Sequence, residues 1–134
     1  MRQLIIKAAL FAVLMVSSLT GAYAQTQHSP YSPNVLATAE KSGKPYLLDF
    51  YASWCSTCRA QDKVLGELQA EDAKYLAIEI IRVDWDDPAS KTIIKANKIP
   101  RRSTLVIFSG RKELGRVVAQ TSKAKIRDLL ELGL

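Results

Sequence analysis

Two kinds of apolar pattern alternate along the chain, short continuous runs and longer helical repeats. Residues 46–52 and 75–83 are apolar or aromatic at nearly every position, which is typical of strands covered on both faces. Residues 104–108 and 113–119 are two further strand-like runs, and the short connection 109–112 between them contains a glycine. This spacing predicts an antiparallel hairpin.

Helical periodicity recurs between and after these runs. The segment 34–42 has its apolar residues on one side and is followed by Gly43, which predicts a short helix that ends there. A longer helix is predicted to begin at Cys55, residues 89–97 form a third, and the chain ends in a fourth. The order helix, strand, helix, strand, helix, hairpin, helix predicts an α/β fold, with a mixed central sheet of about four strands and helices on both faces. Its first two strands and the helix between them would form a right-handed βαβ unit.

The first 24 residues have the layout of a secretory signal peptide. Arg2 and Lys7 precede an apolar stretch over residues 8–16, and a small-x-small site ends at Ala24. The apolar stretch is about half the roughly 20 residues that a spanning helix needs, so a retained membrane anchor is the less favoured alternative. Cleavage after Ala24 predicts a protein that works in the periplasm or is otherwise exported.

The remainder of the chain is long enough for one domain. Residues 25–33 are polar, contain two prolines and are predicted to be a linker, which leaves residues 34–134 as the folded unit. The net charge of +6 falls to +4 when the two basic residues of the first segment are removed, because that segment contains no acid. The other basic residues are scattered among few aromatics, which predicts solvated faces and no nucleic-acid partner.

Cys55 and Cys58 are the two cysteines of the chain, and Cys55 directly follows Trp54. An exported chain lies where disulfides persist, so the pair is free either to cycle or to serve as a staple. A bridge that closes so short a loop constrains the unfolded chain little, which favours cycling. At a helix N-terminus Cys55 would be stabilised as the nucleophilic thiolate. Cys58, one turn further, would attack the mixed disulfide that Cys55 forms with a partner.

The segment Asp49-Phe-Tyr-Ala-Ser-Trp-Cys-Ser-Thr-Cys-Arg59 closely resembles the active-site segment of the thioredoxin superfamily, and residues 104–108 match a later strand of that family. The resemblance implies a three-layer thioredoxin-like fold and a thiol-disulfide oxidoreductase with Cys55 and Cys58 as its redox disulfide. It also implies that Asp49 lies beneath Cys58 and helps to move its proton, and that Trp54 shields the nucleophile. The strand carrying Ile80 lacks the lysine that many members place near the buried acid.

Residues 48–55 are also similar to exported thioredoxin-like domains of bacterial thiol-reducing pathways. This finer resemblance implies a mild preference for reduction of protein disulfides. It implies as partners proteins that bear thiols or disulfides, together with an upstream redox protein, either soluble or membrane-embedded, that recharges the pair. We expect a monomer without a cofactor of its own.

The chain departs from the family pattern at the residue before Thr104. Most members place a cis-proline there, in the groove that receives the partner, whereas this chain has Ser103. Either Ser103 occupies that site through a trans bond, since a non-prolyl cis bond costs about 2.5–4 kcal/mol, or Pro100 is the cis-proline and a longer loop follows. We expect Trp54, Arg102 and Ser103 to contact the substrate. The Ser103 hydroxyl would then either hydrogen-bond a thiolate or leave space for a metal.

A metal-binding or metallochaperone module that uses the same two thiolates is the alternative function. Zinc usually takes four ligands, and the one histidine, His28, lies in the predicted linker. A soft ion such as Cu(I) accepts two sulfurs. No metal ligand other than the cysteines is predicted, and this reading stays open at the level of the sequence.

Overall fold

The computed structural model describes residues 25–134, and the predicted signal peptide lies outside the described residues. The sheet has five strands in the order β1-β3-β2-β4-β5. Strands β1, β3 and β2 are parallel, whereas β4 runs antiparallel to both β2 and β5. The elements are β1 (Ser29–Pro30), α1 (Pro33–Lys41), β2 (Pro45–Tyr51), α2 (Ser56–Glu71), β3 (Glu79–Asp84), α3 (Lys91–Ala96), β4 (Thr104–Ser109), β5 (Lys112–Val118) and α4 (Lys123–Glu131).

Helices cover both faces of the sheet, which confirms the predicted three-layer α/β fold. One core joins α2 and α4 to the sheet through Leu65, Leu68 and Ile126, which pack with Leu47 of β2. The other core lies under α1 and α3 and includes the alternate residues of β2, such as Leu48. Successive side chains of a strand point to opposite faces, and a strand buried on both sides therefore needs the continuous apolar run seen in the sequence.

The first strand is the main departure from the predicted architecture. Residues 25–33 do not form the expected linker, because Ser29 and Pro30 pair with β3 and raise the strand count from about four to five. Upstream of β1, Thr26 donates to the carbonyl of Asp62, and the Gln27 backbone N–H donates to the side chain of Gln69. Proline is tolerated here because β1 lies at the edge of the sheet.

The strand predicted at residues 75–83 begins later than expected. Residues 73–77 form a short 3₁₀ helix, which Asp72 caps by accepting a hydrogen bond from the backbone N–H of Lys74. Tyr75 is buried in the core from this helix, so its apolar character reflects burial and not strand geometry. None of the helices within residues 25–134 is long and apolar enough to cross a membrane.

Candidate active site

The two cysteines lie where β2 leads into α2. Cys55 is the N-cap of α2, and its sulfur accepts a hydrogen bond of 3.2 Å from the backbone N–H of Cys58. Both are free thiols, with 4% of Cys55 and 1% of Cys58 exposed. The predicted placement at a helix N-terminus is therefore confirmed. Unpaired N–H groups and the positive end of the helix dipole act on the first sulfur.

Ser103 is the residue that lies opposite the cysteines. Its Oγ is 3.1 Å from the Sγ of Cys55 and 3.1 Å from the Sγ of Cys58. Residues 25–134 contain no cis peptide bond, and Pro100 is exposed to solvent. The alternative in which Pro100 serves as the cis-proline is therefore wrong, and Ser103 occupies that site through a trans bond.

The backbone at Ser103 explains why proline is absent there. Ser103 has φ of 64°, whereas a proline ring holds φ near −65°. Its N–H also donates to the carbonyl of Phe50 at 2.8 Å, a bond that proline cannot make. The carbonyl of Ser103 accepts from the N–H of Ala119 at 2.8 Å and from the side chain of Gln61 at 3.0 Å. These bonds offset the strain of a left-handed conformation in a residue other than glycine.

Gln61 is a site residue that the sequence pattern did not reveal. It lies on α2, one turn after Cys58, and is fully buried. Its amide nitrogen donates to the carbonyl oxygens of Ser103 and Gln120, both at 3.0 Å. Gln61 therefore ties the cysteine helix to the segment that carries Ser103. A polar residue on the buried side of a helix was the available signal.

The pKa values of the two thiols are shifted in opposite directions. Burial alone would raise the pKa of Cys55, but hydrogen bonds from Cys58, Ser103 and Arg102 lower it to about 7. Burial and the neighbouring Cys55 raise the pKa of Cys58. The pair therefore favours a thiolate at Cys55 and a thiol at Cys58, which are the nucleophile and the reserve thiol that disulfide exchange needs.

Trp54 and Arg102 lie in contact beside Cys55, with Trp54 exposed and Arg102 half-buried. The guanidinium carbon of Arg102 lies 4.3 Å from the centre of the Trp54 ring, a cation–π contact. The indole N–H of Trp54 donates to Asp86 at 2.6 Å, and 56% of Trp54 remains exposed. The structure therefore brings Trp54, Arg102 and Ser103 together around the nucleophile, while Arg101 is exposed.

Asp49 lies in the middle of β2 with 1% of its surface exposed. It is on the same sheet face as Leu47, which packs against α2. Its Oδ2 accepts a hydrogen bond of 3.0 Å from Arg82, whereas its Oδ1 has no partner among the described residues. Burial raises the pKa of Asp49 to about 6, against the opposing charge of Arg82.

Arg82 lies on β3, the strand in which the resemblance leads one to expect a lysine near the buried acid, and its pairing with Asp49 was not predicted from the sequence. It lies directly opposite Asp49 in the parallel pairing of β2 and β3. Besides Asp49 it donates to Asp62 of α2, pairs with His28 at 3.0 Å and lies 4.1 Å from the ring of Tyr51. Asp62 lies on α2, one turn after Cys58. Because Arg82 donates to both Asp62 and Asp49, it links Asp49 to the cysteine helix.

Replacing Asp49 by asparagine should stabilise the protein at pH 8. The carboxyl of Asp49 has a folded pKa of about 6 against an ordinary value of 3.8, so the folded state holds its proton more tightly than the unfolded chain. The stability that this bound proton contributes is fully present below pH 3.8 and is lost as the pH rises through 6. Asparagine avoids the loss, which two pKa units place at roughly 2–3 kcal/mol.

Chemical denaturation of the wild type and Asp49→Asn at pH 4 and pH 8 checks this prediction. The two proteins should differ little at pH 4, and the variant should be the more stable at pH 8. Asp128→Asn, at an exposed position of α4, is the matched control and should change stability by less than about 0.5 kcal/mol. Equal effects of Asp49→Asn at both pH values would contradict the raised pKa.

Comparison with known proteins matches the chain to the thioredoxin family over residues 24–131. It is 35% identical over 86 residues to a thioredoxin from Mycolicibacterium smegmatis, covering 63% of this chain and 74% of that protein. It is 33% identical over 73 residues to the thiol:disulfide interchange protein DsbE of Escherichia coli, covering 54% of this chain and 37% of DsbE. The crystal structure of Trxlp from Edwardsiella tarda superposes with a TM-score of 0.71 at 29% identity, covering 78% of this chain and 98% of Trxlp.

Proposed function

From the premise that this chain belongs to the thioredoxin family, we propose that it is a thiol-disulfide oxidoreductase of the cell envelope that reduces protein disulfides. The observation that carries the proposal is the Cys55–Cys58 pair at the start of α2, in which the first thiol is the more acidic. Asp49 beneath the helix and the surface formed by Trp54 and Arg102 complete the proposed site.

The proposed reaction has two exchange steps. The Cys55 thiolate attacks a disulfide of the partner, forms a mixed disulfide and releases the first partner sulfur as a thiolate. Cys58 then attacks Cys55, which closes the Cys55–Cys58 disulfide and releases the second partner sulfur. The dithiol loses two electrons, and the partner gains them. Asp49, with its raised pKa, is the proposed acid–base group that supports proton movement near Cys58.

The compartment and the direction rest on two further arguments. The first 24 residues have the pattern of a cleavable export signal. The direction rests on the similarity of residues 48–55 to exported reducing domains, and the likeness to the thiol:disulfide interchange protein DsbE, which covers 37% of that protein, supports the exchange chemistry. An exported domain of this kind needs an upstream redox protein to recharge its dithiol. Protein sequencing of the exported form should begin at Gln25.

Partners are proposed to be proteins that present a disulfide next to acidic or aromatic side chains. Arg102 lies over Trp54 beside Cys55, and an exposed indole with a cation above it offers both charge and an apolar surface. The chain is proposed to act as a monomer that binds no nucleic acid, because its basic residues are dispersed.

A redox titration of the protein tests the function. The protein is equilibrated in mixtures of reduced and oxidised glutathione, and the free thiols are alkylated and counted by mass. Cys55 and Cys58 should convert together in a two-electron transition, and the dithiol should reduce a model protein disulfide. The variant with both cysteines replaced by alanine is the control. A wild-type pair that stays unreactive in both directions would rule out the oxidoreductase.

Metal analysis of the purified protein distinguishes the metal-binding alternative from the oxidoreductase. Within residues 25–134 no cluster of three or more His, Cys, Asp and Glu side chains is present, and His28 contacts Arg82. Two sulfurs and the Ser103 hydroxyl would be the donors. A stoichiometric metal in protein purified reduced and without oxygen, together with slow exchange, would favour this alternative.

A further inference from the structure

The Ser103 hydroxyl is enclosed together with the two sulfurs. Its oxygen lies 3.1 Å from the Sγ of Cys55 and 3.1 Å from the Sγ of Cys58, and the residue is fully buried. Among the contacts of residues 25–134, the hydroxyl has no hydrogen-bond partner other than these two sulfurs. Whether the hydroxyl is satisfied therefore depends on the redox state of the cysteine pair.

In the dithiol both bonding capacities of the hydroxyl are used. A hydroxyl has one proton to donate and lone pairs with which to accept. It donates to the Cys55 thiolate and accepts from the Cys58 thiol, which is the arrangement that the opposite pKa shifts of the two thiols favour. The N–H of Cys58 gives the same thiolate a further hydrogen bond at 3.2 Å. Hydrogen bonds to an ionised group are about twice as strong as those between neutral groups.

Oxidation removes both bonds of the hydroxyl. When the disulfide forms, the pair loses two electrons, Cys55 loses its negative charge and Cys58 loses its proton. The bridged sulfurs have no proton to donate and, being neutral, are weak acceptors. The buried hydroxyl is then left without a strong partner, which destabilises the oxidised form.

We propose that Ser103 stabilises the dithiol over the disulfide and thereby raises the reduction potential of the Cys55–Cys58 pair. The proposal rests on the proposed exchange function and adds a residue that determines how strongly the pair reduces. A pair whose reduced form is stabilised is a weaker reductant. A proline ring at this site has no polar side-chain atom and would leave the equilibrium to the other groups.

The backbone of Ser103 holds the hydroxyl at the sulfurs. The N–H of Ser103 donates to the carbonyl of Phe50, and its carbonyl accepts from Ala119 and Gln61. None of these three bonds involves a sulfur, so oxidation of the pair leaves them in place. They maintain the strained φ of 64° and keep the side chain next to the cysteines when its own hydrogen bonds are lost.

Other groups near the sulfurs remain when Ser103 is replaced. Arg102 hydrogen-bonds Cys55, and the two thiols act on each other. Tyr51 packs against the cysteines, and Asp49 is buried on β2. Their contributions to the potential are common to the wild type and to a variant at position 103, so the comparison isolates the hydroxyl.

The raised potential narrows the range of disulfides that the dithiol can reduce at equilibrium. Exposed or strained disulfides have higher potentials than the structural disulfides of exported proteins. Ser103 therefore shifts the proposed partners toward proteins with exposed, reactive disulfides and away from structural bridges.

The potential is measured by equilibrating each protein with reduced and oxidised glutathione at pH 7 and counting the alkylated thiols by mass. One protein thiolate, one protein thiol and oxidised glutathione give the protein disulfide, one glutathione thiol and one glutathione thiolate. Ser103→Ala should shift this equilibrium toward the protein disulfide by roughly 10- to 100-fold, which lowers the potential by about 30–60 mV. The pKa of Cys55, read from the pH dependence of its alkylation, should rise from about 7 by about one unit.

Two further variants separate the hydroxyl from the backbone conformation. Ser103→Gly removes the hydroxyl and also relieves the positive φ. It should lower the potential in the same direction and to a similar extent as Ser103→Ala. Ser90→Ala, at another buried serine that makes no hydrogen bond to either cysteine within residues 25–134, is the control and should keep the wild-type potential.

The stabilities of the two redox forms provide an independent measurement. Ser103→Ala removes strong hydrogen bonds from the reduced protein and an unsatisfied hydroxyl from the oxidised protein. The folding equilibrium constant of the reduced form should therefore fall by roughly 10- to 100-fold more than that of the oxidised form. Denaturant titrations of both forms measure this difference. A merely structural role would lower both stabilities equally.

The outcomes separate the proposal from the function on which it rests. An unchanged glutathione equilibrium in Ser103→Ala and Ser103→Gly, or equal destabilisation of the reduced and oxidised forms, would overturn the proposal. Opposite shifts of the potential in the two variants would assign the effect to the backbone and would overturn it as well. Failure of the wild-type pair to equilibrate with glutathione would instead contradict the exchange function.

Discussion

Cys55→Ser should abolish disulfide reduction, with a loss on the order of a thousandfold or more. Serine is a far weaker nucleophile than a thiolate, and the second thiol cannot take over. Cys58 has 1% of its surface exposed, and burial together with its neighbour raises its pKa. A partner disulfide would meet a buried, protonated sulfur one turn inside the helix.

Cys58→Ser should have a different effect, because it leaves the first step intact. Cys55 should still attack, and one partner per protein should remain attached through a mixed disulfide that is not resolved. The rate of attack should reach half its maximum near pH 7, where the Cys55 thiol ionises. Cys55→Ser should trap nothing at any pH.

The measurement follows the rate at which Cys55 is alkylated at each pH and the mass of the trapped product. Ser56→Ala, at an exposed position next to Cys55 in the helix start, is the control and should retain activity. A trap that depends on Cys58 and forms in Cys55→Ser would reverse the assigned roles. Mass spectrometry of the Cys58→Ser adduct would also identify the partner.

The placement of the cysteines could be predicted because the signals for it are local. A continuous apolar run, a turn and a helical repeat follow each other within about twenty residues, and the structure places β2, Cys55 and α2 in that order. The hairpin of β4 and β5 was equally predictable from its short connection. β2, α2 and β4 bury the faces that their patterns indicate, and β5 is partly buried through Leu114 and Val117.

Other features depend on contacts between distant segments, which no local pattern encodes. β1 is two residues long and pairs with β3 through its backbone, which needs no apolar pattern. Its polar, proline-containing sequence therefore predicted a linker. The position of Ser103 beside both sulfurs depends on a positive φ held by Phe50, Ala119 and Gln61. The partnership of Arg82 with Asp49 depends on the register of β2 against β3.

Arg82→Met should destabilise the protein by about 3–5 kcal/mol at pH 8, because it leaves a buried carboxylate without its counter-ion. The side chain of Arg82 is 15% exposed and that of Asp49 is 2% exposed, so water cannot replace the lost partner. Asp62 also loses a partner, but its side chain is 31% exposed and can be solvated. Arg116→Met removes a more exposed arginine from its pair with Glu113 and should cost at most about 1 kcal/mol.

The pH dependence identifies Asp49 as the source of the loss. Arg82 holds the pKa of Asp49 down to about 6, and its removal lets burial raise that pKa further. Stability of the variant should therefore continue to fall as the pH rises above 6, where that of the wild type levels off. Denaturant titrations from pH 5 to 8 measure the divergence. Adding Asp49→Asn should restore most of the loss at pH 8, because the neutral amide needs no counter-ion, and a double variant as unstable as Arg82→Met would show that packing is responsible.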